Sequence, residues 1–474
     1  MPELPEVETV KETLKNKILG EKITSVSVFY ETMIDEVSRQ EFKELLVGET
    51  LTDIKRYGKY LFFIFENVSL ISHLRMEGKY FIKSKEEPRN IHEHVIFTFE
   101  SGKTLRYHDT RKFGTMKLVK TTNFDEIMLE PELKKLGKEA NDETIDAKEF
   151  YQKIHKMRIK VKTALLDQTL IAGLGNIYVD EVCFMSGINP EYPCNLLTLY
   201  DCENILASSR YILAGAIKAG GTTIRSYTSS LGVTGRFQLK LHVHTKAGYA
   251  CENCHTIIKK ITVGGRGTYL CEQCQPLKKP LVIGITGGIS TGKSTVSEYL
   301  IKKGYKVIDT DIISKNIANN LEVISQIELV FGTEYVLNGQ LDRKKMGDLV
   351  FNNKEANKKL TDIIHPIVKK QVVNEIKLCK DEIVFVDVPL LYEAKFDSLC
   401  HYVICVYTNY ENNLSRLMKR DNITYEQAVN KIKSQMDIEL KKQMAHFIID
   451  NSRDLCYTYK QVDEVVNKIL EMRK

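Results

Sequence analysis

Hydrophobic and polar positions follow two different periods in the first 120 residues. Apolar residues at helical spacing predict an amphipathic helix over residues 5–18. Alternating and continuous apolar runs then predict strands at 23–28, 60–65, 94–99 and 116–119. Turn residues such as Ser101-Gly102 separate these runs, as they do in antiparallel sheets. Residues 1–120 are therefore predicted to form a sandwich or a barrel, and we favour a β-sandwich.

Helical spacing replaces the strand pattern after residue 120. Helices are predicted near 146–156, 161–168, 178–186, 196–207 and 209–219. The loop Ala172-Gly173-Leu174-Gly175-Asn176 interrupts them, and a polar stretch follows at 226–235. We expect a helical domain over residues 121–235.

A third pattern occupies the last part of the chain, after a linker at 276–280. Short buried-strand runs at 281–286, 305–308, 383–387 and 402–407 alternate with helical segments. This alternation is typical of a parallel sheet covered by helices. Residues 281–474 are therefore predicted to be an α/β domain, and the 474-residue chain to be multi-domain.

The composition is that of an ordinary globular protein and does not by itself indicate a function. The chain is 43% hydrophobic and 27% charged, which is ordinary for a globular protein. It has no apolar run of about 18 residues, so we expect no membrane span. The start Met1-Pro2-Glu3-Leu4-Pro5-Glu6 lacks the apolar core of a signal peptide, and we expect a cytoplasmic protein. The net charge of +6 does not by itself indicate a nucleic-acid binder.

Four of the 11 cysteines form a metal-binding pattern. Two Cys-x2-Cys pairs, separated by sixteen residues, have the spacing of a structural zinc site: Cys251, Cys254, Cys271 and Cys274. The alternative is a set of buried free thiols. We predict one structural Zn²⁺ in a zinc-finger hairpin over 236–275. The hairpin tip, Gly264-Gly265-Arg266-Gly267, fits either close approach to a phosphate backbone or a solvated turn.

The amino terminus offers a candidate nucleophile. Removal of Met1 would expose a secondary amine on Pro2, and an N-terminal amine has a pKa of about 8. Such an amine can attack an aldehyde-like sugar carbon and form a Schiff base, with Glu3 moving protons. The ordinary alternative is a frayed terminus.

A phosphate-binding loop opens the last domain. Gly-x4-Gly-Lys-Ser after an apolar strand and before a helix predicts a nucleoside-triphosphate site with Mg²⁺. Lys293 would contact the β- and γ-phosphates, and Ser294 would ligate Mg²⁺. The predicted ATP-binding residues here are Gly287, Gly288, Ile289, Ser290, Thr291, Gly292, Lys293, Ser294 and Thr295.

The loop alone does not distinguish a motor, a switch and a kinase, but the small size of the domain favours a kinase. Asp311 follows the second predicted strand, where a carboxylate can reach a substrate hydroxyl. Arg416 and Arg420 lie four residues apart on a predicted helix, so both face one side and can close over a transferring phosphate. The alternatives are a strand-end carboxylate and a solvated helix face.

Residues 1 to about 275 resemble the formamidopyrimidine-DNA glycosylases. The motifs that carry the resemblance are Pro2-Glu3-Leu4-Pro5-Glu6-Val7-Glu8, Gly58-Lys59-Tyr60-Leu61, His73-Leu74-Arg75-Met76-Glu77-Gly78, Asp109-Thr110-Arg111-Lys112-Phe113-Gly114, Gly173-Leu174-Gly175-Asn176-Ile177-Tyr178 and Gly220-Gly221-Thr222-Thr223. One departure is Glu77, where the family often has a small hydroxyl residue. The resemblance implies a helix-two-turn-helix domain and excision of oxidised purines (8-oxoguanine, formamidopyrimidines) from double-stranded DNA by base flipping.

The same resemblance implies roles for individual residues. Pro2 would be the nucleophile at the sugar C1′ and Glu3 the general acid/base, while Lys59 and Arg266 would assist β- and δ-elimination. Met76, Arg111 and Phe113 would fill the gap left by the flipped base. The residues implied to hold DNA phosphates are His92, Arg111, Arg158, Lys162 and the turn at Asn176. Taken singly, Lys59 and Lys162 also fit solvated charges, and Phe113 a core aromatic. The loop at 226–235 would cover the flipped base.

Residues from about 281 to 474 resemble dephospho-coenzyme A kinases. The motifs that carry this resemblance are Gly284-Ile285-Thr286-Gly287-Gly288, Asp309-Thr310-Asp311, His365-Pro366, the run at 387–393 and Phe447-Ile448-Ile449-Asp450-Asn451. One departure is His446, because the family often has an acidic residue at the position before Phe447. The resemblance implies transfer of the ATP γ-phosphate to the 3′-hydroxyl of dephospho-coenzyme A, with Asp311 as general base.

The sequence therefore predicts a bifunctional, monomeric enzyme whose two activities are independent. Two other hypotheses remain. One is a DNA-binding module without lyase activity joined to a working kinase. The other is an ATPase that powers DNA repair.

Overall fold

The computed structural model describes residues 2–222, 237–318 and 320–472. The chain divides into two compact units. Unit 1 comprises Met1–Leu197 and Asp201–Leu277, and unit 2 comprises Thr198–Tyr200 and Lys278–Lys474. The division at Leu277 and Lys278 falls inside the linker expected at 276–280.

Unit 1 begins with helix α1 (Leu4–Ile18), whose buried face includes Val7, Val10 and Leu14. Helix α2 spans Arg39–Leu46. The strands that follow are β1 (Ile23–Val28), β2 (Ile34–Asp35), β3 (Leu51–Tyr57), β4 (Tyr60–Phe65), β5 (Ser69–His73), β6 (Lys79–Ser84), β7 (Glu93–Phe99), β8 (Lys103–His108) and β9 (Thr115–Val119).

These strands form two separate sheets. One sheet has the order β1-β7-β8-β6, and the other has the order β2-β9-β5-β4-β3. Every pair is antiparallel except β2 with β9. Apolar side chains from both sheets and from α1 share one buried core. The predicted sandwich is thus confirmed, and the barrel alternative is excluded because the two sheets do not join into one closed sheet.

The helical part of unit 1 differs from the prediction at one point. Its helices are α3 (Phe124–Ile127), α4 (Ala147–Ile154), α5 (Val161–Leu165), α6 (Asn176–Met185) and α7 (Leu199–Lys218). The prediction of two helices at 196–207 and 209–219 is wrong, because α7 runs through both. Ser208 and Ser209 do not break the helix. Both are buried, and the Ser209 hydroxyl donates to the Ile205 carbonyl of the preceding turn at 2.8 Å.

Strands β10 (Lys259–Val263) and β11 (Arg266–Leu270) form an antiparallel hairpin near the end of unit 1. Gly264 and Gly265 both have positive φ, at 56° and 73°, so the tight turn suits residues without a Cβ. The loop predicted to cover a flipped base, at 226–235, lies outside the described residues.

Unit 2 is built on a parallel sheet of order β13-β16-β12-β17-β18. Its strands are β12 (Leu281–Gly287), β13 (Lys306–Asp309), β16 (Ile383–Asp387), β17 (Tyr402–Tyr407) and β18 (Phe447–Asp450). Strands β14 (Val336–Leu337) and β15 (Gln340–Leu341) form a small separate hairpin. The parallel α/β prediction is confirmed. Strand β18 was not predicted, because its Phe447-Ile448-Ile449 run is too short to be distinguished from a buried helical segment.

Helices cover both faces of this sheet, since one apolar cluster involves α8 and α16 and another involves α9 and α12. The helices are α8 (Lys293–Lys302), α9 (Thr310–Ile317), α10 (Leu321–Phe331), α11 (Arg343–Asn352), α12 (Lys354–Leu378), α13 (Tyr410–Asp421), α14 (Tyr425–Lys433), α15 (Ile438–Met444) and α16 (Leu455–Met472). Among the helices of the described residues, none is long and apolar enough to cross a membrane.

Candidate active sites

The Glu3 carboxylate is held at the amino-terminal end of α6. Glu3 is 1% exposed, and its oxygens accept backbone N–H groups of Gly175 at 2.6 Å, Ile177 at 2.8 Å and Tyr178 at 3.3 Å. A helix amino terminus carries unpaired N–H groups and a positive dipole end, so it binds a carboxylate well. A Cβ at Gly175 would lie 2.4 Å from Glu3 Cδ, so only glycine fits there. Pro2 is buried beside Glu3.

Glu6 supports Glu3 from within α1, and the sequence analysis missed it. Its carboxylate accepts the Glu3 N–H at 3.0 Å, the Tyr178 hydroxyl at 2.6 Å and the Thr222 N–H at 2.7 Å. Burial, and then the nearby Glu3 charge, raise the pKa of Glu6. The signal was present in the sequence, because a glutamate three residues after an N-cap residue is typical of a capping box.

Lys59 is buried close to the same carboxylates. Its Nζ donates to the Leu174 carbonyl at 2.5 Å, at the start of the loop that leads into α6. Burial lowers the pKa of Lys59 to about 8, with Arg266 acting in the same direction and Glu3 and Glu6 opposing it. The structure therefore brings Glu3, Lys59 and Arg266 together, and Lys59 is not a solvated charge.

A second ion-pair network holds the turn that carries Lys59. Arg56 contacts both oxygens of Glu139 and donates to Glu8 at 2.6 Å and to the Gly58 carbonyl at 3.0 Å. Gly58 adopts a φ of 56°, which fits the tight turn between β3 and β4. No local sequence pattern indicates this network, because Arg56 and Glu139 are 83 residues apart.

The zinc hairpin is attached to the helical part through its backbone. The Gly267 carbonyl, next to Arg266, accepts from Asn176 Nδ2 at 3.0 Å and from Lys162 Nζ at 3.2 Å. Asp180 accepts the Tyr269 N–H at 3.2 Å from the same hairpin. These bonds fix the position of Arg266, whose side chain is exposed at the start of β11.

The expectation that Lys162 binds a DNA phosphate does not agree with its burial. Its side chain and that of Asp180 are both 0% exposed, and they form an ion pair at 2.7 Å. A fully enclosed ammonium presents no surface to a phosphate. Lys162 instead orients the hairpin through Gly267. The side chain of Asn176 has the same partner, and the backbone N–H groups on either side of it bind Glu3. Arg158, in contrast, is exposed.

The residues expected to probe DNA lie on two exposed loops of the sandwich. Met76 follows β5, and Arg111 and Phe113 follow β8. Phe113 is 51% exposed, which excludes a core role, and the Arg111 guanidinium stacks on its ring at 4.8 Å. His92 is half-buried just before β7, where its ring lies 5.6 Å from that of His108.

The four knuckle cysteines converge. Their sulfur atoms all lie within 4.8 Å of one another, and Cys254 Sγ is 3.3 Å from Cys271 Sγ. A tetrahedral zinc ion with Zn–S bonds of about 2.3 Å places its sulfurs about 3.8 Å apart, so the arrangement fits zinc. Four thiolates leave no open position on the metal, which makes the site structural.

In unit 2, the phosphate-binding loop borders a cavity of about 460 Å³. The lining residues are Gly287, Gly288, Ile289, Ser290, Gly292, Lys293, Ser294, Asp311, Pro389, Arg416, Arg420 and Gln435. Seven of the nine expected loop residues, the expected base and both expected lid arginines thus share one cavity. Thr291 is buried behind the loop, and neither Thr291 nor Thr295 is among the lining residues. Gly292 is the N-cap of α8, so the amino end of that helix points at the loop, as in phosphate sites.

Asp387, at the end of β16, holds two side chains of the helix that follows the phosphate-binding loop. It contacts Lys293 Nζ and accepts from the Ser297 hydroxyl at 2.6 Å. Asp311 lies close enough to feel the charges of Lys293 and Asp387, and burial raises its pKa.

Asn451 and Gln435 support the phosphate loop, and the sequence analysis assigned neither a role. Asn451 Nδ2 donates to the Thr291 carbonyl at 2.9 Å, and the main-chain carbonyl of Asn451 accepts from the Arg416 guanidinium at 3.0 Å. A Cβ at Gly292 would lie 1.9 Å from Asn451 Nδ2, so this approach needs glycine. Gln435 Oε1 accepts the Ile289 N–H at 3.0 Å.

Comparison with known proteins separates the chain at the same place. Family models match residues 1–116 (formamidopyrimidine-DNA glycosylase N-terminal domain), 136–228 (formamidopyrimidine-DNA glycosylase H2TH domain), 250–277 (zinc finger found in FPG and IleRS) and 281–456 (dephospho-CoA kinase).

Curated relatives and solved structures cover unit 1. The formamidopyrimidine-DNA glycosylase of Ligilactobacillus salivarius is 47% identical over 270 residues, which are 56% of this chain and 96% of the relative. That of Bacillus subtilis is 46% identical over 269 residues, with the same coverage. The structure of a Lactococcus lactis FPG mutant with DNA containing Fapy-dG matches with a TM-score of 0.55 and 43% identity. The matched region is 58% of this chain and 100% of the Lactococcus lactis chain. The chain therefore belongs to the formamidopyrimidine-DNA glycosylase family, and its last part is a dephospho-CoA kinase domain.

Proposed function

We propose that the chain is a bifunctional enzyme. Unit 1 removes oxidised purines from double-stranded DNA and cleaves the resulting abasic site, and unit 2 phosphorylates the 3′-hydroxyl of dephospho-coenzyme A. The observation that carries the first activity is the burial of Glu3 and Lys59 beside Pro2, near Arg266. A nucleophile, a proton carrier and a cation are the groups that base removal followed by elimination needs at one site, and these buried residues supply all three.

In the first reaction, the Pro2 nitrogen forms a bond to the sugar C1′ while the bond from C1′ to the damaged base breaks. The base leaves with a proton that Glu3 helps to deliver, and the Pro2 nitrogen loses its own proton. The C1′–O4′ bond then breaks as O4′ takes up a proton, so that the sugar ring opens and an iminium Schiff base between Pro2 and C1′ remains. β-Elimination then removes a proton from C2′ and breaks the C3′–oxygen bond, with neutral Lys59 as the proton acceptor. δ-Elimination breaks the C5′–oxygen bond, with Arg266 binding the departing phosphate.

Residues on the surface loops of unit 1 would hold the DNA. Met76 and Phe113 are apolar wedges suited to unstacked bases, and Arg111 can pair with the orphaned partner base. His92 and Arg158 would bind phosphates. The relatives matched by unit 1 include structures with damaged DNA, such as an abasic-site complex of the Lactococcus lactis enzyme.

In the second reaction, the ribose 3′-oxygen forms a bond to the γ-phosphorus of ATP while the bond to the β,γ-bridging oxygen breaks. Asp311 takes the hydroxyl proton, and ADP leaves. Lys293, Arg416 and Arg420 would stabilise the charge on the transferring group. Mg²⁺ bound with ATP would be held by Ser294 and would neutralise phosphate charge. The raised pKa of Asp311 suits a base, because a more basic carboxylate accepts a proton more readily.

Two assays on one purified full-length chain test the proposal. Borohydride should trap a covalent adduct with oxidised-guanine duplex, and intact mass should show that Met1 is absent. Dephospho-coenzyme A should stimulate ATP turnover. No adduct with correctly processed protein would support a DNA-binding module without lyase activity. Turnover stimulated by DNA and not by dephospho-coenzyme A would support an ATPase that powers repair.

We also propose that the two activities are independent and that the protein is a cytoplasmic monomer. Seven cysteines outside the knuckle are free thiols, which fits a reducing compartment. Proteolytic cleavage at an inserted site within 278–280 should leave both activities unchanged. Loss of either activity after cleavage would contradict independence.

A further inference from the structure

The two DNA-probing loops of unit 1 are each closed on themselves. In the loop that carries Met76, the Gly78 N–H donates to the Leu74 carbonyl at 2.9 Å. In the loop that carries Arg111 and Phe113, the buried Asp109 carboxylate accepts three backbone N–H groups. The donors are Arg111 at 2.9 Å, Phe113 at 3.0 Å and Gly114 at 2.9 Å. Each loop is therefore a compact unit whose position depends on how it is held against the other.

Tyr107 lies between the ends of the two loops. Its side chain is fully buried and packs edge-on against Tyr80, with ring centroids 5.0 Å apart. A Cβ at Gly78 would lie 2.1 Å from the Tyr107 oxygen, and a Cβ at Gly114 would lie 1.7 Å from it. Both loops thus end on one phenol, and glycine at both ends permits that contact.

A side-chain bond joins the same loops at their exposed edge. The Thr110 hydroxyl donates to Glu77 Oε2, across 33 residues of sequence. Glu77 directly follows Met76, and Thr110 directly precedes Arg111. A bond between these two neighbours sets the distance from the wedge to the arginine more directly than the inner contact at Tyr107.

We infer that Glu77 and Thr110 are positioning residues that fix the spacing between Met76 and the Arg111–Phe113 pair. This inference rests on the proposed glycosylase function of unit 1. A carboxylate beside DNA repels phosphates, so its presence here requires a compensating role, and the bond to Thr110 supplies one. The consequence is a specificity role. Glu77 keeps Arg111 at the height of the partner base, so it governs discrimination between cytosine and adenine opposite the lesion.

The test uses the full-length chain and four variants: Glu77→Ala, Glu77→Gln, Thr110→Val and the double variant Glu77→Ala/Thr110→Val. Glu66→Ala is the matched control, because Glu66 is an exposed glutamate in the turn between β4 and β5. Single-turnover excision is measured on 8-oxoguanine duplexes with cytosine or adenine opposite the lesion. A 2-aminopurine beside the lesion reports intercalation by its fluorescence.

Each single variant that breaks the bond should lower the cytosine-to-adenine rate ratio by about threefold to fivefold, as expected for the loss of one solvent-exposed hydrogen bond of ordinary net strength. The double variant should lower it no further, because both changes remove the same bond. Glu77→Gln should stay near the unmodified ratio, since its amide oxygen still accepts from Thr110. Glu66→Ala should change neither the ratio nor the fluorescence.

Two results would overturn the inference. Additive effects in the double variant would mean that the residues act separately. Equal effects of Glu77→Gln and Glu77→Ala, removed by added salt, would mean that Glu77 acts only by repelling phosphate. Failure of the proposed function is distinguishable, because the unmodified chain would then neither excise the lesion nor form a borohydride adduct. Thermal unfolding verifies that unit 1 of each variant folds, and kinase activity verifies that unit 2 is intact.

Discussion

The low pKa of Lys59 predicts a pH dependence of strand cleavage. Burial lowers this pKa from 10.5 to about 8. At about pH 7, a pKa of about 8 leaves roughly 9% of the amine neutral, whereas an ordinary lysine would be about 0.03% neutral. The shift therefore raises the concentration of the proton-accepting form about 300-fold. Because the neutral form acts, the rate of β-elimination should rise with pH and level off above about pH 8.

The assay separates elimination from base removal. Single-turnover nicking of a preformed abasic-site duplex is followed between about pH 6 and pH 10. Base excision is measured in parallel on an 8-oxoguanine duplex, in which alkali cleaves every abasic site that the enzyme forms. Lys59→Arg keeps the cation but holds its proton throughout this range, so it should nick slowly and without the inflection. Thermal unfolding of Lys59→Arg, compared with that of the unmodified chain, is the control for folding of unit 1.

A nicking rate that does not vary with pH would refute the reasoning. So would an inflection that persists in Lys59→Arg when borohydride trapping, which follows the attack by the Pro2 amine, shows no inflection in this range. An inflection near pH 10 would refute the burial effect while leaving Lys59 as the base. Base excision that follows the same profile would mean that Lys59 acts before elimination.

Three further predictions address other parts of the molecule. Gly175→Ala should reduce the rate of base excision by about 100-fold, because the added Cβ would lie 2.4 Å from Glu3 Cδ and displace the carboxylate, and kinase activity should not change. Lys162→Met should lower the free energy of unfolding of unit 1 by about 3–5 kcal/mol in denaturant titrations, since the buried Asp180 carboxylate loses its ammonium partner and keeps only the His244 ring and the Tyr269 N–H; Lys162→Met/Asp180→Asn should recover part of this, because a neutral amide oxygen still accepts from Tyr269, and a double variant no more stable than Lys162→Met would contradict the pairing. Asp387→Asn should raise the KM for ATP and lower kcat of the kinase without affecting DNA nicking, because it weakens the contact that orients Lys293; unchanged ATP kinetics would count against this role.

The sequence predicted the architecture well where periodicity is strong. The α1 face, the alternating strands of the sandwich and the buried parallel strands of unit 2 each bury one set of apolar residues. Their patterns follow directly from that burial. The break expected in α7 was wrong because two serines resemble a turn in sequence, whereas buried serines can bond back to their own helix.

The site residues were predictable only where a motif names them. Glu3 and Lys59 belong to contiguous motifs, but the groups that position them do not. Glu139 reaches the Lys59 turn from 81 residues away, and Asn451 reaches the phosphate loop from 160 residues away. No local pattern encodes such contacts. For Lys162, the sequence identified an important residue but not its burial, which decides between phosphate binding and hairpin positioning.

The bonds of Glu3 and Glu6 also constrain the order in which unit 1 can become active. Glu3 depends on amides 172 to 175 residues further along the chain, and Glu6 depends on Thr222, 216 residues away. The sandwich can form its strands early in synthesis, yet it cannot assemble the reaction centre alone. A nascent chain thus carries an incomplete centre until at least residue 222 has left the ribosome. A fragment that ends before Gly175 lacks the amides that hold Glu3, and one that ends before Thr222 lacks a group that holds Glu6. Unit 2 is made only afterwards, so its folding begins when the contacts around Glu3 and Glu6 are already available.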